Sequence, residues 1–129
     1  MNKEDRNRLS GIVLDASIEV HKQLGPGLLE SVYEACLCKE LDLRNINYKR
    51  QLSLPVNYKG FEINLDYRID ILVDNEIIVE LKAAETLLPV HHAQLLTYLK
   101  LTDKRLGLLI NFNVPRLVDG FKRVVNGYD

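Results

Sequence analysis

Alternation of apolar and polar residues between Ile63 and Leu81 constrains this chain more than any other feature. Apolar side chains recur at Ile63, Leu65, Tyr67, Ile69, Ile71 and Val73, then at Ile77, Val79 and Leu81, which is the period of a half-buried strand. Asp70, Glu80 and Lys82 take the opposite positions. Because side chains alternate strictly, the two apolar rows share a face only if facing residue numbers have an even sum. That condition sets Asp70 level with Glu80 and needs a three-residue loop, Asp74-Asn75-Glu76. A two-residue Asp-Asn turn would throw one apolar row into water, so burial selects the longer loop.

Two carboxylates and a lysine then converge on one face. Adjacent carboxylates repel, so a chain that places them together usually supplies a cation, and oxygen ligands suit a hard ion such as magnesium. A metal lowers the pKa of bound water and neutralises charge on a phosphoryl oxygen, while an ammonium such as Lys82 orients the attacking water or stabilises the transition state. This layout suits phosphodiester hydrolysis. The same spacing also describes the solvent-facing side of an ordinary amphipathic hairpin.

At 129 residues with 47% hydrophobic content, the chain is sized for one compact domain spanning residues 1–129. Its apolar stretches are too short to span a bilayer, and the charged start Met-Asn-Lys-Glu-Asp-Arg lacks a signal-type apolar run, so a cytoplasmic protein without membrane association is expected. Cys36 and Cys38, two apart on an expected helix, point in different directions and read as ordinary thiols. A net charge of -1 excludes a large uniform basic surface, so any contact with nucleic acid must use a local patch.

Leu9, Ile12, Val13, Ala16, Val20 and Leu24 fall at helical spacing, and Gly25-Pro26-Gly27 ends that helix. His21, in its last turn, reads as structural. A second helix starts near Leu28 and reaches about Arg44-Asn45, with Glu30 in its first turn, where an acidic residue is stabilising in any protein. From Ile46 to Tyr58 the period becomes two, which predicts one long strand with Pro55 at an edge or bulge. Lys59-Gly60 then turns into the second strand and Asp74-Asn75-Glu76 into the third, giving a three-stranded antiparallel meander. Pro89 suits the first turn of a third helix reaching about Thr102. On it Gln94 and Tyr98 share a face, whereas His91 and His92 face different ways, leaving His91 as a lining residue at most. Leu106 to Ile110 reads as a strand buried on both faces, and Phe121, Val124 and Val125 as a last strand or short helix.

This order of elements, with Asp70 on the second strand and Glu80-Leu81-Lys82 on the third, resembles the PD-(D/E)XK nuclease superfamily. Gly27-Leu-Leu-Glu30-Ser-Val-Tyr33 matches the signature of its GxxExxY family, and Glu19 to Gly27 and Leu108-Leu-Ile-Asn-Phe112 also look like that family. The resemblance implies a restriction-endonuclease-like α/β core, of the mixed-sheet α+β kind, with helices flanking a mostly antiparallel sheet. It implies Glu30, Asp70, Glu80 and the Leu81 carbonyl as metal ligands, Asp70, Glu80 and Lys82 as catalytic residues, and Gln94, Tyr98, Tyr33 and His91 as substrate-binding residues. Magnesium is the implied ion, with manganese as a substitute, and DNA or RNA the implied substrate. Ile69 replaces the proline of the motif's name, which is no ligand.

Three functions fit these residues: a magnesium-dependent nuclease, a non-catalytic nucleic-acid-binding or regulatory module on the same fold, and a small interaction protein whose acidic cluster is incidental. A domain this small is expected to rely on a second copy or a protein partner to hold its substrate.

Overall fold

The computed structural model describes residues 1–64 and 67–127. Helices α1 (Lys3–Leu24) and α2 (Glu30–Leu43) come first, and α1 is capped by the Asn2 side chain, which accepts a hydrogen bond from the Asp5 amide at 2.8 Å. Strand β1 (Tyr48–Leu52) is followed by a small hairpin of β2 (Val56–Tyr58) and β3 (Phe61–Ile63), then by β4 (Ile69–Val73) and β5 (Ile77–Lys82). Helix α3 (Pro89–Thr102), strand β6 (Leu106–Asn111), a 3-10 turn (Leu117–Gly120) and β7 (Phe121–Val125) complete the chain.

The main sheet has the order β1-β4-β5-β6-β7, antiparallel except for the parallel pair β5 and β6. A parallel neighbour cannot be reached by a hairpin, and α3 supplies the crossover. Its three helices and mixed sheet are those of a restriction-endonuclease-like α+β fold. Ile71 faces Val79 and Val73 faces Ile77, so the even-sum register and the three-residue loop Asp74-Asn75-Glu76 both hold. Asp74 and Asn75 adopt φ of 50° and 58°, which closes the loop through a bond from the Glu76 amide to the Val73 carbonyl.

The strand expected from Ile46 to Tyr58 is divided in two. Pro55 cannot donate to a ladder, and the chain leaves the sheet between Leu52 and Val56 to form the separate β2-β3 hairpin, whose turn is Lys59-Gly60. The meander of three successive strands is therefore corrected: β1, β4 and β5 are adjacent in the sheet, but the hairpin is inserted between the first two. The long apolar row from Ile63 to Val73 is interrupted as well, and its Leu65 lies outside the described residues. Ile69 packs with Leu72 rather than with Ile71 and Val73, and it pairs with Leu52, the residue after Gln51 of β1, whose φ of 50° breaks the regular pleat.

Both sheet faces are buried. Leu9, Val13, Ala16 and Val20 of α1 and Tyr33, Leu37 and Leu41 of α2 cover Ile71, Val73, Ile77 and Val79. Leu95, Tyr98 and Leu99 of α3 cover Ile69, Leu72, Ile78 and Leu109 on the other side. Helix α3 closes on β6 over Gly107, where a methyl group would come within 2.9 Å of the Leu95 side chain. Neither face of this hairpin is thus a solvated outer face. The hairpin is dry except at the end of the sheet, where α2 begins and β5 finishes.

Candidate active site

Glu30 is the first residue of α2, where unpaired backbone amides favour a carboxylate. The loop before it is fixed by Tyr33, whose hydroxyl donates to the Gly25 carbonyl at 2.6 Å and accepts from the Leu28 amide at 3.1 Å. Gly25 and Gly27 take φ of 70° and 95°, a region that disfavours other side chains. The Tyr33 ring is fully buried and stacks on Phe112 at 4.5 Å between centroids. The expectation that Tyr33 meets substrate is therefore corrected. Its hydroxyl is bonded to the loop and its ring lies in the core, so it sets where α2 starts.

A cleft of about 420 Å³ is lined by Glu30, Ser31, Glu34, Gln51, Tyr67, Arg68, Asp70, Glu80, Leu81 and Lys82. It brings together all four residues expected around an ion and, as the fifth, the lysine. One oxygen of Asp70 accepts from the Leu81 amide at 2.8 Å, and the other faces the Gln51 amide at 3.4 Å. Burial raises the Asp70 pKa, assisted by the charges of Glu34 and Glu30 and opposed by those two hydrogen bonds. Glu80 is 9% exposed and accepts from the Tyr67 hydroxyl at 2.6 Å. Its pKa is pushed up to about 7, first by burial and then by Asp70, against the pull of the Tyr67 bond and the Lys82 ammonium. Lys82 is held at the mouth by its backbone: the Phe112 amide donates to its carbonyl at 3.0 Å, and buried Asn111 bonds both polar groups of the Ala84 backbone.

Glu34 is a member of this cleft that the sequence reading missed. One of its oxygens accepts from Arg50 at 2.8 Å and the other from Gln51 at 2.8 Å, so Gln51 links Glu34 to Asp70. Its position four residues after Glu30, on the same helical face, was the available signal. Arg50, Gln51 and Asn111 carried no comparable signal, since their partners come from distant parts of the chain.

Gln94 and Tyr98 lie outside the acidic cleft. They line an adjoining groove of about 460 Å³ with Tyr67, Ala93, Thr97 and Leu101, and Tyr67 is the wall common to both. His91 lines neither: its Nδ1 accepts from the Leu88 amide at 3.1 Å and caps α3. His21 bonds the Val114 carbonyl at 2.8 Å, in keeping with a structural residue. Cys36 and Cys38 are unpaired, and burial pushes the Cys38 thiol up to about 12.

The oxygen donors of the cleft fit a hard divalent cation in kind, because two partly buried carboxylates with raised pKa are a charge pair that a cation relieves. As they stand, no three His, Cys, Asp or Glu side chains among the described residues are close enough to hold one ion. No helix among them is long and apolar enough to cross a membrane.

No curated protein sequence matches the chain. The crystal structure of SSO0001 is similar in fold, with a TM-score of 0.56 and 21% identity over 77% of this chain, which spans 50% of that protein. The model of the PD-(D/E)XK nuclease superfamily matches residues 7–124. This chain belongs to that superfamily.

Proposed function

We propose that the chain is a divalent-metal-dependent nuclease that hydrolyses phosphodiester bonds of DNA or RNA. The observation that carries this reading is the convergence of Glu30, Asp70, Glu80 and Lys82 in one cleft at the end of the sheet. The Gly27 to Tyr33 segment supports placing it in the GxxExxY branch. Asp70, Glu80 and the Leu81 carbonyl, with Glu30 across the cleft, would hold magnesium or manganese. Such an ion supplies charge neutralisation at the phosphate and a bound water of lowered pKa. The Lys82 ammonium then orients the attacking water and stabilises charge on the phosphoryl oxygens. Arg68 lines the same cleft and contributes positive charge toward the strand. The remaining expectations, one domain, a cytoplasmic location and a second copy or partner to hold the substrate, are part of this proposal.

Turnover of labelled DNA and RNA with magnesium or manganese, for wild type and Lys82→Ala purified identically, tests the reading. The variant keeps the carboxylates, so ion binding should survive while the rate falls roughly a hundredfold or more. Equal rates would place the activity elsewhere. A second reading, a nucleic-acid-binding module without turnover, is favoured by one observation: although the acids share one cleft, no three of them among the described residues are close enough to hold one ion, Glu34 being paired with Arg50. Metal-insensitive binding of nucleic acid with no cleavage is its signature.

A further inference from the structure

We propose that the groove beside the acidic cleft, lined by Tyr67, Ala93, Gln94, Thr97, Tyr98 and Leu101, is a subsite for an unpaired nucleobase of the strand whose phosphate occupies the cleft. This deepens the nuclease reading and rests on it. The two depressions share one wall, Tyr67, whose hydroxyl bonds Glu80 in the cleft while its ring meets the Tyr98 ring at 4.6 Å and a tilt of 58°. A nucleotide has the same division: a charged phosphate joined through a sugar to a flat, uncharged base.

The polarity of the walls follows that division. Among the described residues the cleft is lined by four carboxylates and two cations, the groove by none of either. Tyr67 is 38% exposed and so presents ring surface, Leu101, Ala93 and the Thr97 methyl are apolar, and the exposed Gln94 amide offers a donor and an acceptor to a base edge. Aromatic rings beside a backbone-binding site are how single-stranded nucleic acid is held without strong sequence preference. A base inside a duplex is stacked on both sides, and reaching the groove would require unstacking it, which costs a few kcal/mol. The geometry thus selects single strands, frayed ends or flaps over continuous duplex.

Thr97 is exposed on α3, so Thr97→Glu places a charge in the groove without replacing a core residue or any carboxylate or cation of the cleft. Fluorescence anisotropy with magnesium and Lys82→Ala as the uncleaving background compares a short single strand, the same strand made wholly abasic, and the matching duplex. The base-bearing strand should bind about tenfold more tightly than the abasic one, the effect of stacking one base. Adding Thr97→Glu should remove that preference, weakening the base-bearing strand by about tenfold more than the abasic one, which loses only what the added charge costs, while adding Tyr67→Phe, which keeps the ring, should retain it. Equal affinity for base-bearing and abasic strands, or a preference that survives Thr97→Glu, overturns the subsite and leaves the nuclease reading standing. Failure to bind any of the three overturns both. Self-association abolished by Thr97→Glu, without base dependence, assigns the groove to a second copy and also overturns the subsite.

Discussion

Glu80 has a folded-state pKa of about 7, well above the ordinary carboxylate value, so the folded chain binds its proton more tightly than the unfolded chain does. Metal-free stability must therefore fall as pH rises from the ordinary carboxylate range through 7. Below that window there is no contribution, and above it the penalty levels off at about 3 kcal/mol. Glu80→Gln removes the charge and keeps an acceptor for Tyr67. Urea unfolding without metal should show the variant gaining on wild type by about 2–3 kcal/mol between roughly pH 5 and 8. Parallel pH profiles would identify another group as the source. Asp70→Asn is not the same experiment. Removing its charge relieves repulsion, but both Asp70 oxygens accept hydrogen bonds, and an amide nitrogen would face either the Leu81 or the Gln51 donor. That mismatch costs about 1–3 kcal/mol and offsets the electrostatic gain.

Placement of Glu30 depends on an element boundary, the start of α2, and that boundary is set from inside the core. Tyr33→Phe would keep the stack on Phe112 and delete the hydroxyl that bridges the Gly25 carbonyl and the Leu28 amide. We expect a loss of about 0.5–1.5 kcal/mol in denaturant unfolding, since two part-buried loop groups exchange the hydroxyl for water. Metal affinity should weaken with it if the loop aims Glu30, and unchanged affinity would show that α2 holds its start without the tyrosine. The spacing of Gly27, Glu30 and Tyr33 was readable in the sequence, but the contact that explains the tyrosine was not. Phe112 lies at the end of β6, in the other segment that looks like the family, and only folding brings the two segments together. The strands show the same limit. Period two from Ile46 to Tyr58 predicted one apolar row, yet Ile46 and Tyr48 pack in one core and Leu52, Leu54 and Val56 in the other, and the chain around Pro55 makes one expected strand into parts of two sheets.

Over the whole molecule, the cleft is assembled from α2, β1, β4 and β5, and the proposed ligands come from α2, β4 and β5, so an ion bound there ties three elements together only in the folded chain. Binding to the folded state alone stabilises by an amount set by concentration over dissociation constant, about 2.7 kcal/mol at a hundredfold excess. For a chain of this size that corresponds to a rise in Tm of roughly 10 °C. Differential scanning fluorimetry with magnesium, manganese and a sodium chloride control of equal ionic strength should show the rise with the divalent ions alone. The shift should be lost in Asp70→Asn and kept in Lys82→Ala. A thermal profile indifferent to both ions would count against the metal-dependent reading.

The sequence by itself determined the hairpin that pairs β4 with β5, its register and loop, the helical faces, and the acid-x-lysine pattern, because alternation, parity and turn length are local properties of the chain. Tertiary structure decided what lies across from that hairpin. It placed Glu34 and Gln51 beside Asp70, moved Gln94 and Tyr98 into a neighbouring groove, and buried Tyr33 under the loop that carries Glu30. Those outcomes depend on how helices close over a sheet whose two faces are both dry, and no periodicity along the chain records which residues a distant element will cover.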